Sequence, residues 1–145
     1  MAELAASHET TLFIRDNCLC LASQRAARSL SRLFDEALKP VGITSGQFSL
    51  LTSLNREHPP TIGSVANVLA MDRTTLTANL KPLERRRLVR SEVDPKDRRG
   101  RRLSLTQEGL SLLDAATPIW ERTHKAVEAK LADPHVLRAG LSAIA

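Results

Sequence analysis

The sequence predicts a mainly α chain with one small β-hairpin, and three observations carry that prediction. Leu and Ala dominate the aliphatic residues while aromatics make up only 3%, a composition that favours helix. Apolar residues recur at spacings of three and four along most of the chain, the period of a helix buried on one face. One stretch breaks that period: residues 88–93 and 102–105 alternate like strands around a turn-forming Asp-Pro-Lys-Asp-Arg-Arg-Gly segment.

Each element follows from its own residues. Over residues 17–38, Leu19, Ala22, Ala26, Leu30, Leu33 and Ala37 share one face of a long helix, which Pro40 and Gly42 end. A second helix, 45–55, places Phe48, Leu51 and Leu54 on one side with Leu50 beside them. His58-Pro59-Pro60 forms a rigid connector, after which Thr61 caps a short helix with Ile62, Val65 and Leu69 inward. Asp72 caps the next helix, whose buried stripe is Leu76, Leu80 and Leu83. At 100° per residue the opposite face carries Thr74, Ala78, Lys81 and Arg85, with Arg73 and Thr77 on its shoulder. Beyond the hairpin, Thr106 caps a long helix over 107–131 with Leu110, Leu113, Ala116 and Trp120 on one face, kinked at Pro118. Asp133 and Pro134 then start a final helix bearing Val136, Leu137, Leu141 and Ile144.

Charge is distributed unevenly. Residues 84–102 hold nine basic side chains against four acids, an excess of five that equals the net charge of the whole chain. The basicity is therefore local. Clustered arginine without an exposed apolar backing suits a polyanion such as nucleic acid better than a membrane, although a solvated charged surface is the plainer alternative. The helix face that precedes the cluster favours the first reading. Hydrogen-bonding threonines come first and bases one to two turns later, an order that suits base edges in a DNA major groove followed by phosphates. Thr75 is a further candidate DNA contact.

Other classes find little support. A chain of 145 residues, 42% of them hydrophobic, is long and apolar enough for one folded domain. No apolar run reaches the length of a membrane span, and the N-terminal residues lack the basic-then-apolar order of a secretion signal. Two cysteines, Cys18 and Cys20, make no disulfide framework, so a reduced, cytoplasmic protein is expected. The histidines His8, His58, His124 and His135 are scattered without metal-ligand spacing, and there is no phosphate-cradling Gly loop or nucleophile elbow. The expectation is a protein without metal, cofactor or enzymatic activity.

Three helices, a two-stranded hairpin and long helices at both ends make a winged helix-turn-helix with extra terminal helices. In this order, and in the wing pattern Asp97, Arg99, Leu103, Leu105, Thr106 and Gly109, the chain resembles the MarR family of bacterial transcription regulators. The resemblance implies a homodimer built through residues 1–42 and 107–145, with residues 43–106 as the DNA-binding lobe and a pseudo-palindromic double-stranded operator as partner. It also implies that Arg99 enters the minor groove at the wing tip and that Asp97 steadies its guanidinium, with Arg98 and Arg101 as backbone contacts. Two residues depart from the pattern. Arg87 stands where the family usually has Gly after the recognition helix, and Pro82 lies inside that helix.

Members of such a family release DNA in response to a small effector or to thiol oxidation, and both routes have candidates. Arg15, Phe48 and Trp120 offer one cation and two aromatics for an aromatic carboxylate, although Phe48 and Trp120 also read as core. Cys20 lines up with the reactive cysteine of the organic-hydroperoxide regulators. Those proteins hold the thiol with tyrosines, whereas this chain has none, and Phe34 takes one such place. Cys18 and Cys20, if both helical, project about 200° apart and do not bridge readily. A sequence-neutral architectural DNA-binding protein is the remaining alternative.

Overall fold

The structure is a computed structural model, and it describes residues 7–145. Seven helices and one hairpin follow in the order α1 (His8–Asn17), α2 (Leu19–Leu38), α3 (Ser45–Leu54), α4 (Ile62–Val68), α5 (Arg73–Arg85), β1 (Val89–Asp94), β2 (Asp97–Leu105), α6 (Gln107–Glu128) and α7 (Pro134–Ile144), with a 3-10 turn at Lys39–Val41. Helix starts in the lobe are chemically similar. Thr44, Thr61, Asp72 and Thr106 each accept a backbone N–H from the first turn of the helix they precede, and Thr44 with Gln47 closes a full capping box.

The core sits between α3, α4, α5, the hairpin and the inner face of α6. Leu38, Leu51, Val65, Leu76, Leu83 and Leu103 are its largest fully buried side chains. Truncating any of these leucines to Ala would cost about 2–5 kcal/mol. The connector is more than a spacer. Its Pro60 carbonyl accepts the Leu103 N–H at 2.9 Å, and Thr61 bridges Arg102 as a rudimentary third strand. The start of α6 lies so close to the root of the hairpin that a Cβ on Gly109 would meet the Leu88 carbonyl oxygen at 2.1 Å. Only glycine fits there.

Two tight turns frame α5, and both close without glycine. After α4, Met71 N–H reaches the Ala66 carbonyl and Ala70 N–H that of Asn67. After α5, Leu88 N–H reaches Leu83 and Arg87 N–H reaches Glu84. These are Schellman motifs. They hold Ala70 at φ 50° and Arg87 at φ 58°, in the left-handed region. Arg87 thus adopts the conformation for which the expected Gly is suited.

Four expectations need correction. The N-terminal residues form an additional helix, α1, capped by Ser7; it buries no residue within the chain, so no core periodicity announces it. A break at Cys18 separates it from α2. The apolar stripe predicted for the long helix is largely unburied in the single chain: Leu19 is 71% exposed, and Leu30 and Leu33 lie open, while Leu38 is the buried residue of α2. The hairpin is longer than predicted, because residues 97–101 belong to β2 rather than to a loop. Helix α6 ends at Glu128, running on through Pro118, as α5 does through Pro82.

Candidate nucleic-acid interface

The exposed face of α5 is set by its buried one. With Leu76, Leu80 and Leu83 in the core, Thr74, Ala78, Lys81 and Arg85 point away from it, flanked by Arg73, Thr75 and Thr77, all exposed. Their hydrogen bonds distinguish the threonines. Thr75 donates its hydroxyl to the Asp72 carboxylate at 2.7 Å, and Thr77 donates to the Arg73 carbonyl at 2.8 Å. Thr74 makes no side-chain hydrogen bond among the described residues, which leaves both its donor and its acceptor for a partner. The Thr75 backbone N–H, followed by its hydroxyl, holds the Asp72 carboxyl below the usual aspartate range, so the cap is anionic at neutral pH. Arg73 folds back over α4, where a Cβ on Gly63 would come within 2.8 Å of its guanidinium.

The basic run at the end of α5 divides by role. Arg86 donates to the Gly42 carbonyl at 2.9 Å and so ties the helix end to the turn after α2. Arg87 supplies the left-handed turn, and its carbonyl accepts the Thr106 hydroxyl at 2.6 Å. Lys81 and Arg85 form no ion pair among the described residues.

The wing is a two-stranded antiparallel hairpin with register Val89↔Leu105, Ser91↔Leu103 and Val93↔Arg101, then Asp94↔Asp97 across a bulge. Arg98, Arg99 and Gly100 stand between those last two pairs without partners in β1, so Arg99 occupies the bulged tip. The carboxylate of Asp97 accepts the backbone N–H of Arg99 at 3.0 Å, and no ion pair to the Arg99 guanidinium forms. Asp97 therefore shapes the tip rather than bracing the side chain, a correction to the sequence reading. The residues sequence reasoning missed lie where β1 enters the turn, beside the bulged tip. Asp94, 5% exposed, accepts the Lys96 N–H at 3.0 Å and pairs with Arg102 at 3.3 Å. Arg102 in turn donates to the Pro59 carbonyl at 3.0 Å. The Lys96 N–H, ahead of Arg102, holds the Asp94 carboxyl below its ordinary range. The available signal was an acid beside the turn with an arginine on the neighbouring strand, obscured by Asp97 and the other charges between them.

Between α5 and the hairpin runs a cleft of about 500 Å3, into which Thr77, Lys81 and Arg101 are set from opposite walls.

The sensing candidates are not gathered into one place. Arg15 lies exposed on α1, its guanidinium paired with Asp16 at 2.7 Å. Phe48 and Trp120 do meet, stacked with ring centroids 6.3 Å apart, and His124 extends the stack at 4.6 Å. Cys18 is not helical. It ends α1, adopts extended backbone and accepts the Leu21 N–H through its sulfur as the cap of α2, so the 200° separation from Cys20 does not hold. Cys20 is exposed and accepts a hydrogen bond from Gln24. Among the described residues, no group of three or more His, Cys, Asp or Glu is placed to hold a metal, and no helix is long and apolar enough to cross a membrane.

This architecture has known counterparts. The MarR family model matches residues 43–100, the helix-turn-helix and the wing to its tip. The transcriptional regulator MosR of M. tuberculosis, solved in complex with DNA, superposes with a TM-score of 0.82 at 34% identity, over 88% of this chain and 93% of that one. The HTH-type transcriptional repressor NicR of Pseudomonas putida is 30% identical over 95 residues, which span 66% of this chain and 60% of NicR. The organic hydroperoxide resistance transcriptional regulator of Bacillus subtilis is 28% identical over 104 residues, 72% of this chain and 71% of that protein. A capped recognition helix with its polar face outward, a wing carrying arginine at its tip and a matching chain-length fold leave one conclusion: the protein belongs to the MarR family of winged helix-turn-helix transcriptional regulators, which bind DNA and are not enzymes.

Proposed function

We propose that the protein is a cytoplasmic, sequence-specific repressor that binds a pseudo-palindromic operator as a homodimer. The observation that carries this reading is the pairing of an outward polar face on α5 with Arg99 at a bulged wing tip. Thr74, Thr77 and Lys81 read the major groove; Arg73, Arg85, Arg98 and Arg101 hold phosphates; Arg99 enters the minor groove, and Asp97 sets its backbone. Thr75 contributes through its lone pairs, its proton being committed to Asp72. Residues 43–106 do this work, while residues 1–42 and 107–145 pair the two copies. Exposed Phe13, Ile14, Leu19, Val136 and Ile144 support that pairing.

Competition between DNA selected from a random pool and unselected DNA tests the reading. A specific regulator prefers its selected duplex by about 10³ or more at near-physiological salt, whereas equal affinity returns the protein to a sequence-neutral architectural role. In the same assay Arg99→Ala weakens binding far more than Arg86→Ala, because Arg86 is spent on the Gly42 carbonyl.

Release by a small aromatic effector is the favoured control, with the Phe48–Trp120 stack as one wall of its site and Arg15 as the carboxylate partner. Trp120 is the single tryptophan, so its fluorescence reports binding across a panel of aromatic acids. The second reading is thiol control. It is favoured by an exposed Cys20 two residues from a non-helical Cys18, and by the likeness to the organic hydroperoxide regulator. No effector response, together with oxidant-triggered DNA release that Cys20→Ser abolishes, would select it.

A further inference from the structure

The cleft between α5 and the wing carries an inference that extends the phosphate contact given to Arg101 to two unassigned residues, Arg90 and Glu84, and it rests on the reading of the chain as a duplex-DNA regulator. If α5 lies in a major groove and Arg99 in the adjacent minor groove, one sugar-phosphate strand separates the two. That strand must cross the cleft. Its walls hold three cations: Lys81 on α5, Arg101 on the inner face of β2 with Ser91 and Leu103, and Arg90 at the β1 edge. None is committed to the fold. Lys81 and Arg101 form no ion pair among the described residues, and Arg90 faces Glu92 across 3.8 Å in an open setting worth little. The hydroxyls of Thr77 and Ser91 complete a lining suited to phosphate oxygens.

One wall residue has the opposite sign. Glu84, one turn after Lys81 on α5, lines the same cleft, is exposed and has no cationic partner among the described residues. A carboxylate beside the path of a phosphodiester repels it, and it stands unscreened by any ion pair of its own.

We infer that the cleft is a phosphate clamp held from the wing side by Arg90 and Arg101, with Glu84 on the α5 side as a built-in brake that holds DNA affinity below what the cations alone would give. A brake of this kind keeps binding weak enough to be released.

The test uses the full chain, a fluorescent duplex selected from a random pool by the wild-type protein, and anisotropy titrations between about 50 and 200 mM salt. Arg90→Gln and Arg101→Gln each reduce the slope of log affinity against log salt by about one per protomer, as loss of a single phosphate contact requires. Glu84→Gln tightens binding about three- to tenfold at the lowest salt with no loss of slope. Circular dichroism and melting of each variant establish that the hairpin is retained. An unchanged slope in either arginine variant, or a Glu84→Gln protein that binds no tighter, overturns the clamp while leaving the regulator reading intact. A wild-type chain from which no duplex can be selected overturns both.

Discussion

At the scale of single residues, the turns flanking the recognition helix accept strain in exchange for side chains. Ala70 and Arg87 sit at left-handed φ, where a Cβ costs about 1–2 kcal/mol. Replacing either by Gly removes that cost but adds unfolded-chain entropy of about 0.4–1 kcal/mol. The first effect wins. Ala70→Gly and Arg87→Gly are therefore each expected to stabilise the protein by about 0.5–1 kcal/mol, read as a rise in the urea midpoint at unchanged m-value. A drop in midpoint at position 87 would mean that the Arg87 side chain makes a contact worth more than the strain. The Arg87 departure was visible in the sequence, because a family pattern asked for Gly there. Ala70 was not, because alanine gives no local sign of a positive φ. Asp97 and Asp94 show a related limit. Both are acids beside a turn, and only the hairpin register shows that one holds the tip backbone while the other binds Arg102.

At the scale of elements, the wing is a lever whose tie to the lobe matters as much as its tip. Arg102 links Asp94 on β1 to the Pro59 carbonyl of the connector, so it joins the hairpin to the body of the lobe. The Asp94 carboxyl has a lowered pKa, held chiefly by the Lys96 N–H and then by Arg102. A depressed carboxyl stabilises the fold fully above the ordinary aspartate value, about 3.9, and loses that contribution as pH falls through the lower folded value. Asp94→Asn should therefore destabilise the protein at pH 7 and do so progressively less as the pH falls below the ordinary aspartate range, measured as the difference in melting temperature from wild type. A penalty that stays constant with pH would show that charge at Asp94 is not what secures the wing. The hairpin itself was legible from alternation, but not its length. Arginine is a poor marker for a strand, so residues 97–101 read as loop until backbone pairing places them in β2.

At the scale of the whole molecule, the terminal helices expose what an isolated chain would bury. Phe13, Leu19, Leu30, Leu33, Val136 and Ile144 are all open to solvent, and an apolar cleft of about 570 Å3 lies between α2 and α7. If these faces pair in the homodimer, folding and association are linked, and the melting temperature should rise with protein concentration over the micromolar range. A concentration-independent melt, with a monomer by light scattering, would contradict the pairing. By itself the sequence determined the helical class, the helix starts with their Thr and Asp caps, the exposed polar face of α5 and the concentration of charge around the wing. All of these are local, written in periods of three to four residues and in cap chemistry. Tertiary structure alone decided which arginines serve the fold and which face outward, that Cys18 breaks a helix, and that the stripe on α2 finds no cover within its own chain. Those depend on what each side chain meets across distant segments, such as Arg86 on Gly42 or Arg102 on Pro59, and no local pattern records a partner more than 40 residues away.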